Sequence, residues 1–478
     1  MVRSRGAPPA VAAPEPEGYA RALAALARRR RFGMRPGLEG IRGLLAELGH
    51  PERSLAAVHV AGSKGKGSVA TLVAAILTAA GGPTGLYTSP HLVSYRERIR
   101  VDGAPIGPEA VVRGLEEVEA ATVRARRRDR SLAEPTFFEA TTALGFAHFA
   151  RSRVRSAAVE VGLGGEFDAT NVLSGAVGVI GTIELEHTDV LGPTLGHIAR
   201  AKAGILHPGM RAVTGETKPE PLAELERAAG RIGVPLWRLG REVRVLGRTV
   251  TERGQELDLA TPHREHRGLR LPAHGTFQAR NAALAVAAVD LFEAMTGRSV
   301  PEAAVRRGFS DFRIRGRLER AARRPDLYLD VAHTPESAAA LAESLVEIAP
   351  FSVPSDNVLL FGCLAGKRAE EILEALAPLA ATVVVAPVHS DRALPVEALR
   401  RAAQGRFPRI VLAPSVPAGL GLARAATAAD GFTLATGSDY LVGEILRSLG
   451  EGPADEPDLS DPTLLGKAAP AASGGERP

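Results

Sequence analysis

Cysteine occurs once in the 478 residues, at Cys363, which excludes an internal disulfide framework and fits a reducing compartment. Aromatic residues make up only 4% of the chain. They do not interleave with the arginine runs Arg28–Arg31 and Arg126–Arg128, so these runs read as solvated helix faces or ends, not as a base-stacking nucleic-acid surface. Long apolar runs are missing too: the uncharged stretch 67–95 is interrupted by Gly81-Gly82-Pro83 after about one helix. The N-terminus has no apolar core of a signal peptide. A cytoplasmic protein with no membrane or nucleic-acid partner is expected. Lysine is the least expected shortage. Six of the 59 basic residues are lysines (Lys64, Lys66, Lys202, Lys218, Lys367 and Lys467), leaving 59 − 6 = 53 arginines. Guanidinium cannot replace a compact ammonium or a reactive amine, so each lysine is a candidate for chemistry.

What is present is ordinary for a globular chain: 45% apolar, 24% charged, net charge +5. The length suits two or three domains with cores that need no disulfide or structural metal. Residues 1–16 and 451–478 are rich in Ala, Pro, Gly and acids and read as disordered tails. Between them, short apolar runs alternate with Ala/Leu-rich helical patterns. Strands are expected at Ala57–Ala61, Ala157–Val161, Val177–Ile183, Leu327–Val331, Val358–Phe361 and Thr382–Ala386, with a helix over Ser68–Ala80. The alternation predicts an α/β fold: a P-loop-type, mostly parallel sheet domain (17–308), then a smaller Rossmann-like α/β domain (309–450). The segment 236–272 reads as an antiparallel excursion.

The strongest local signal is Val58-His59-Val60-Ala61-Gly62-Ser63-Lys64-Gly65-Lys66-Gly67-Ser68, a strand entering a glycine-rich turn before a helix. Such a turn aims backbone N–H groups at a phosphate, and the helix N-terminus adds partial positive charge. Lys66 would neutralise the β/γ-phosphates and the Ser68 hydroxyl would hold magnesium. The spacing departs from the strict Walker pattern: Val60 stands at the first glycine position, and Gly67 separates lysine from hydroxyl. Farther on, Glu160 ends an apolar strand before Gly162-Leu163-Gly164-Gly165, where a carboxylate is costly unless paired or metal-bound. Ile183-Glu184-Leu185-Glu186-His187 follows another strand, and Lys202 sits among small residues.

These motifs resemble the Mur ligase superfamily, and within it the folylpolyglutamate synthase/dihydrofolate synthase family. The resemblance is carried also by Phe32–Ile41, by Thr88-Ser89-Pro90-His91 through Ile99, by Gly275–Ala282 with Asn281, by Arg315-Gly316-Arg317, by Asp330-Val331-Ala332-His333, and by Thr436–Ile445. It implies an ATP-dependent ligase that activates a folate-type carboxylate as an acyl phosphate and joins it to glutamate. It implies catalytic roles for Lys66, Glu160, His187 and Lys202. ATP contacts would come from Gly62, Ser63, Lys64, Gly65, Lys66, Gly67, Ser68, Asn281, Arg317, Asp330 and His333. Two magnesium sites would use Ser68, Glu160, His187 and a carbamylated Lys202. Folate contacts would come from Ser89, Pro90, His91, Phe138 and Asp168. The resemblance further implies a monomer acting on small molecules.

Three departures stand out. Glu166 occupies a position usually basic in the family, Glu186 replaces an aspartate before the histidine, and Gly366-Lys367-Arg368 lacks both acids of an Asp-Lys-Asp triplet. Other readings are a Mur-type ligase on a different acceptor, a partner-coupled P-loop ATPase, and a non-catalytic nucleotide-binding paralogue. A cell-wall Mur ligase would carry a further N-terminal domain, for which a loop beginning at residue 62 leaves no room. Lys218 and Lys467 have no role that the sequence assigns.

Overall fold

The computed structural model describes residues 18–29, 37–349 and 352–452. The arginine run beyond Arg29, the Phe32–Pro36 part of the family-like entry segment, Lys467, and the tails 1–16 and 453–478 lie outside the described residues.

Eight strands form the first sheet: β1 (Ala56–Ala61), β2 (Thr84–Tyr87), β3 (Ile99–Val101), β4 (Ala104–Pro105), β5 (Ser156–Glu160), β6 (Val177–Ile180), β7 (Arg211–Thr214) and β8 (Leu236–Arg238). Their order is β4-β3-β2-β5-β1-β6-β7-β8, parallel except at the β3–β4 edge. Central strands in such a sheet are covered on both faces, which is why Val58, Val60, Ala157–Val159, Val177 and Val179 are apolar and fully buried. The helix Lys66–Ala80 follows β1 and starts two residues earlier than the apolar pattern suggests, because Gly65 at φ +83 turns the chain directly into it. Its apolar faces pack between the sheet and the helices Thr276–Thr296 and Glu302–Asp311.

The expected excursion is a three-stranded antiparallel sheet, β9 (Arg244–Thr251), β10 (Gly254–Ala260) and β11 (Glu265–Leu271), although Leu236–Arg238 joins the main sheet instead. The second α/β unit is a six-stranded sheet of β12 (Glu319–Ala322), β13 (Asp326–Leu329), β14 (Val358–Phe361), β15 (Thr382–Val385), β16 (Arg409–Leu412) and β17 (Phe432–Thr436), ordered β12-β13-β17-β14-β15-β16. Only β12 runs antiparallel to its neighbour.

Both sheets place their loops for function in the same way. The carboxyl ends of β1, β5 and β6, adjacent in the first sheet, deliver residues 62–68, 160–168 and 181–187 to one spot. In the second sheet the carboxyl ends of β13, β17 and β14 deliver 330–333, 436–439 and 362–368. Ligands of open α/β sheets bind where such ends cluster. No helix among the described residues is long and apolar enough to cross a membrane.

Candidate active site

The two sets of strand ends face each other across a cleft of about 300 Å³. One wall carries Ser63, Lys64, Gly65, Lys66, Gly67, Ser68, Glu160, Glu184, Glu186, His187 and Asn281; the other carries Arg317, Asp330, His333, Glu336, Lys367 and Asp439. The walls meet where Lys64 Nζ lies 3.4 Å from His333 Nε2. His333 Nδ1 is 2.9 Å from the Val331 carbonyl and so carries the proton, which leaves Nε2 as an acceptor. Burial, reinforced by Lys64, holds this imidazole neutral, well below its ordinary range.

Glycines set the geometry of the phosphate loop. Gly62, at φ +143, crosses Gly181 so closely that a Cβ would stand 2.9 Å from the Gly181 nitrogen. Gly65 leaves no room for a side chain beside the Asn281 amide. Gly67, the residue that breaks the Walker spacing, lies beside Glu160: a Cβ there would be in ordinary contact with Glu160 Oε2, at 3.4 Å. That oxygen accepts from the Ser89 amide at 3.0 Å. Burial raises the affinity of Glu160 for a proton, and Lys66, the Ser89 amide and Arg317 oppose it.

Two lysines share one acceptor. Lys66 Nζ donates to the Gly62 carbonyl at 2.9 Å, and Lys202 Nζ donates to the same oxygen at 3.0 Å. Lys202 is 2% exposed and also pairs with Glu186 at 2.9 Å. Burial, only partly offset by Glu186, brings the Lys202 ammonium down to about 8. Burial pushes the Glu186 carboxyl up, but Lys202 and Lys66 outweigh it and hold the group at about 2, ionised. Glu186 was visible in the sequence only as a substitution; here it is the counter-ion of the buried Lys202.

The same loop is clamped from behind. Glu216, 1% exposed, accepts from the Ile183 amide at 2.6 Å, and Lys218 Nζ donates to the Ile183 carbonyl at 2.6 Å. Residue 183 is thereby held on both sides just before Glu184, Glu186 and His187. Lys218 thus acquires a structural role, one whose partners are too far along the chain to read from spacing.

The residues expected at a folate divide into two groups. Ser89 and Pro90 line the cleft, while His91 accepts from Arg98 Nε at 2.8 Å. Phe138 and Asp168 are buried behind Gly162, off the cleft lining. The Phe138 ring lies against Gly162 and meets Tyr87 edge-on at 6.1 Å. Asp168 accepts from the Leu163 amide at 2.9 Å and from the Thr170 amide and hydroxyl at 3.0 and 2.5 Å. The loop around Ser89 is held by Glu97, whose carboxylate accepts from the amides of Leu92, Val93 and Ser94 at 3.0, 3.0 and 2.7 Å.

On the facing wall, Asp330 accepts from the Leu318 and Ala332 amides at 2.7 and 2.8 Å, and burial, opposed by Arg317, pushes it up to about 6. Glu166, the expected charge inversion, projects into solvent. Cys363 is fully buried, and burial pushes its thiol up to about 12, which makes it a packing residue.

Magnesium requires hard oxygen donors and keeps much of its shell as water and phosphate. Ser68 Oγ and the unshared Oε1 of Glu160 fit that demand at the mouth of the loop. Lys202, as an unmodified side chain, offers no oxygen donor. Among the described residues no three His, Cys, Asp or Glu side chains converge as a metal cage, so protein donors alone do not complete a site.

A glycine-rich phosphate loop facing a second α/β unit across a cleft lined by both cations and carboxylates defines a two-domain ATP-handling ligase. In agreement, the Mur ligase middle domain matches residues 60–289 and the Mur ligase glutamate ligase domain matches 316–438. The chain is 39% identical over 384 residues to a dihydrofolate synthase/folylpolyglutamate synthase of Mycobacterium tuberculosis, covering 78% of each protein. The crystal structure of M. tuberculosis folylpolyglutamate synthase complexed with ADP and AMPPCP superposes with a TM-score of 0.83 at 36% identity, over 91% of this chain and 100% of that one. E. coli FolC in complex with DHPP and ADP gives 0.79 at 29% identity, over 90% and 97%. The chain belongs to the dihydrofolate synthase/folylpolyglutamate synthase family.

Proposed function

We propose that this protein joins L-glutamate to a folate-type carboxylate, that of dihydropteroate, of tetrahydrofolate or of both, at the expense of ATP. The observation that carries the reading is the cleft itself: phosphate-loop cations Lys64 and Lys66 on one wall face Arg317, Asp330 and His333 on the other, with Ser89 and Pro90 beside Glu160. The acceptor carboxylate oxygen attacks the γ-phosphorus, the bond to ADP breaks, and an acyl phosphate results. The glutamate nitrogen then attacks the acyl carbon and loses a proton, and phosphate departs. Such phosphoryl transfer needs positioning and charge neutralisation more than a nucleophilic side chain. Lys66 and Arg317 neutralise the phosphates from opposite walls, and Asn281 beside Phe277 offers the adenine an amide and a ring. Residues 17–308 and 309–450 serve as the two working halves, in a cytoplasmic monomer. Closure of the cleft excludes water from the acyl phosphate.

Ser68, Glu160 and His187 are the residues that would hold magnesium, which when bound offsets charge on the γ-phosphate. A carbon dioxide adduct on Lys202 would turn its cation into an anionic oxygen donor. The unprotonated amine needed for that addition is accessible because burial lowers the ammonium to about 8. Phe138 and Asp168 contact the folate-type acceptor, the ring by stacking and the carboxylate by accepting hydrogen bonds from its aminopyrimidine edge.

The test is phosphate release by purified protein with ATP, magnesium and glutamate, comparing dihydropteroate, tetrahydrofolate and no acceptor. Release that depends on either acceptor, with the glutamylated product detected by mass, is expected. Release independent of acceptor makes the protein a P-loop ATPase instead.

A further inference from the structure

A second cavity, of about 510 Å³, lies farther along the helix that starts at the phosphate loop. The cleft and this cavity share the helix Lys66–Ala80 but no lining residue. Its first turn faces the cleft, whereas Thr71, Ala74, Ala75, Thr78 and Ala79 from the later turns form the floor of the cavity. The walls are Thr84 and Leu86 of β2, Arg100 of β3, Arg307 of the helix Glu302–Asp311, and Arg313 just past that helix. Volume and composition are those of a small-molecule site: a mainly apolar floor with a few hydroxyls and charges at its edge.

The acids at this edge are already engaged. Asp102 donates its amide to the Thr84 carbonyl at 2.9 Å and accepts from the Thr84 amide on Oδ1, also at 2.9 Å. Asp311 Oδ2 lies 3.4 Å from Arg307 Nε. Two guanidinium groups are left over. Arg100 Nε donates to the Glu97 carbonyl at 3.2 Å, and Arg313 Nη1 donates to the Ser310 and Phe312 carbonyls at 2.9 and 2.7 Å. Each keeps its other two nitrogens without a partner among the described residues, and neither forms an ion pair there. Arg100 is half-buried. Burial lowers its hold on the proton, opposed by Glu97 and reinforced by Arg315. A partly desolvated cation with no counter-ion is an unfavourable arrangement unless an anion joins it. A guanidinium with two free nitrogens matches the oxygens of a carboxylate or a phosphate. Thr71 and Thr78, two turns apart on one helix face, add hydroxyls that engage no described residue.

We propose that this cavity is a second ligand site, separate from the catalytic cleft, for a small anion bearing carboxylate or phosphate groups, held by Arg100 and Arg313 with its body on the alanine floor. Arg100 stands two residues beyond the acceptor-side loop 88–98, and Arg313 belongs to the connection that enters the second unit. An anion bound to both ties that loop to the connection, and it favours the arrangement seen here over any in which the two arginines part.

Calorimetric titration of the full-length protein tests it, with magnesium and saturating AMPPCP present so that the phosphate loop is occupied. The probes are γ-linked triglutamate and inorganic phosphate. One binding event is expected; triglutamate binding identifies a carboxylate ligand and phosphate binding a phosphate ligand, and either upholds the site. Arg100→Gln and Arg313→Gln each weaken it at least about ten-fold, as loss of a charge-assisted contact requires. AMPPCP affinity changes less than about two-fold in both variants. Should Arg100→Gln lower the melting temperature, Arg313→Gln, whose exposed side chain bonds only neighbouring carbonyls, carries the test. Absence of binding by both probes overturns the proposal, as does binding that both variants leave unchanged. Loss of AMPPCP binding in the variants overturns it too, because the arginines would then serve the nucleotide.

Discussion

His59, two residues before the end of β1, is 1% exposed, with Nε2 2.8 Å from the Thr170 hydroxyl. Burial first, and His207 second, lower its pKa from 6.5 to about 3. The folded state thus binds fewer protons than the unfolded chain below pH 6.5. The stability this neutral ring permits is complete above that pH and is lost as pH falls toward 3. Between pH 6.5 and 5 the loss is about 2 kcal/mol. Denaturant unfolding of wild type and His59→Gln at pH 5, 6 and 7 checks it, since only wild type should show this part of the acid slope. Glu186 supplies a second case. Glu186→Gln leaves the Lys202 ammonium buried with only the Gly62 carbonyl, at an expected cost of about 3 kcal/mol. The double variant Glu186→Gln/Lys202→Met should recover part of that loss; a simply additive cycle would show that the pair is not coupled.

Among the elements, the loop Thr88–Arg98 carries Ser89 and Pro90 and has almost no regular structure of its own. Glu97 organises it, accepting three backbone amides. Glu97→Ala should cost about 2–3 kcal/mol, because buried donors are left unpaired, and should raise the KM for the acceptor far more than that for ATP. Melting curves and separate substrate titrations distinguish the two effects. Strands β1, β5, β6 and β14 were legible because a short, continuous apolar run bounded by glycine or a turn is hard to bury except as a central strand of a covered sheet. The phosphate loop was legible because its residues are contiguous. What was not legible is the chemistry assembled from distant segments: the Lys202–Glu186 pair, the Glu216–Lys218 clamp around residue 183, and the closeness of Glu160 to Gly67. Each depends on which strands lie side by side, and the order β5-β1-β6 is not written in chain order. Likewise the placing of Phe138 against Gly162 and the hydrogen bonds of Asp168 to Leu163 and Thr170 follow from the fold and not from spacing.

At the scale of the whole molecule, the cleft takes its charged lining from both α/β units, so the site is complete only where the two meet. Small-angle scattering with ATP and acceptor should show a smaller radius of gyration than the free protein; an unchanged profile would remove closure from the mechanism. The two units are not joined only by the segment near 312–316. Leu92 and Val93 leave the first unit and pack into the core of the second, beside Leu329, Val331 and Val442, and the Leu92 carbonyl lies directly against Gly443. The acceptor-side loop is therefore fastened at its middle to a half of the molecule that begins more than two hundred residues later in the chain. A chimaera between relatives that exchanges everything after residue 312 would inherit a socket shaped for a different pair of residues at 92 and 93. Productive recombination should instead transfer residues 88–98 together with the C-terminal half, so the natural unit of inheritance in this fold is discontinuous along the chain.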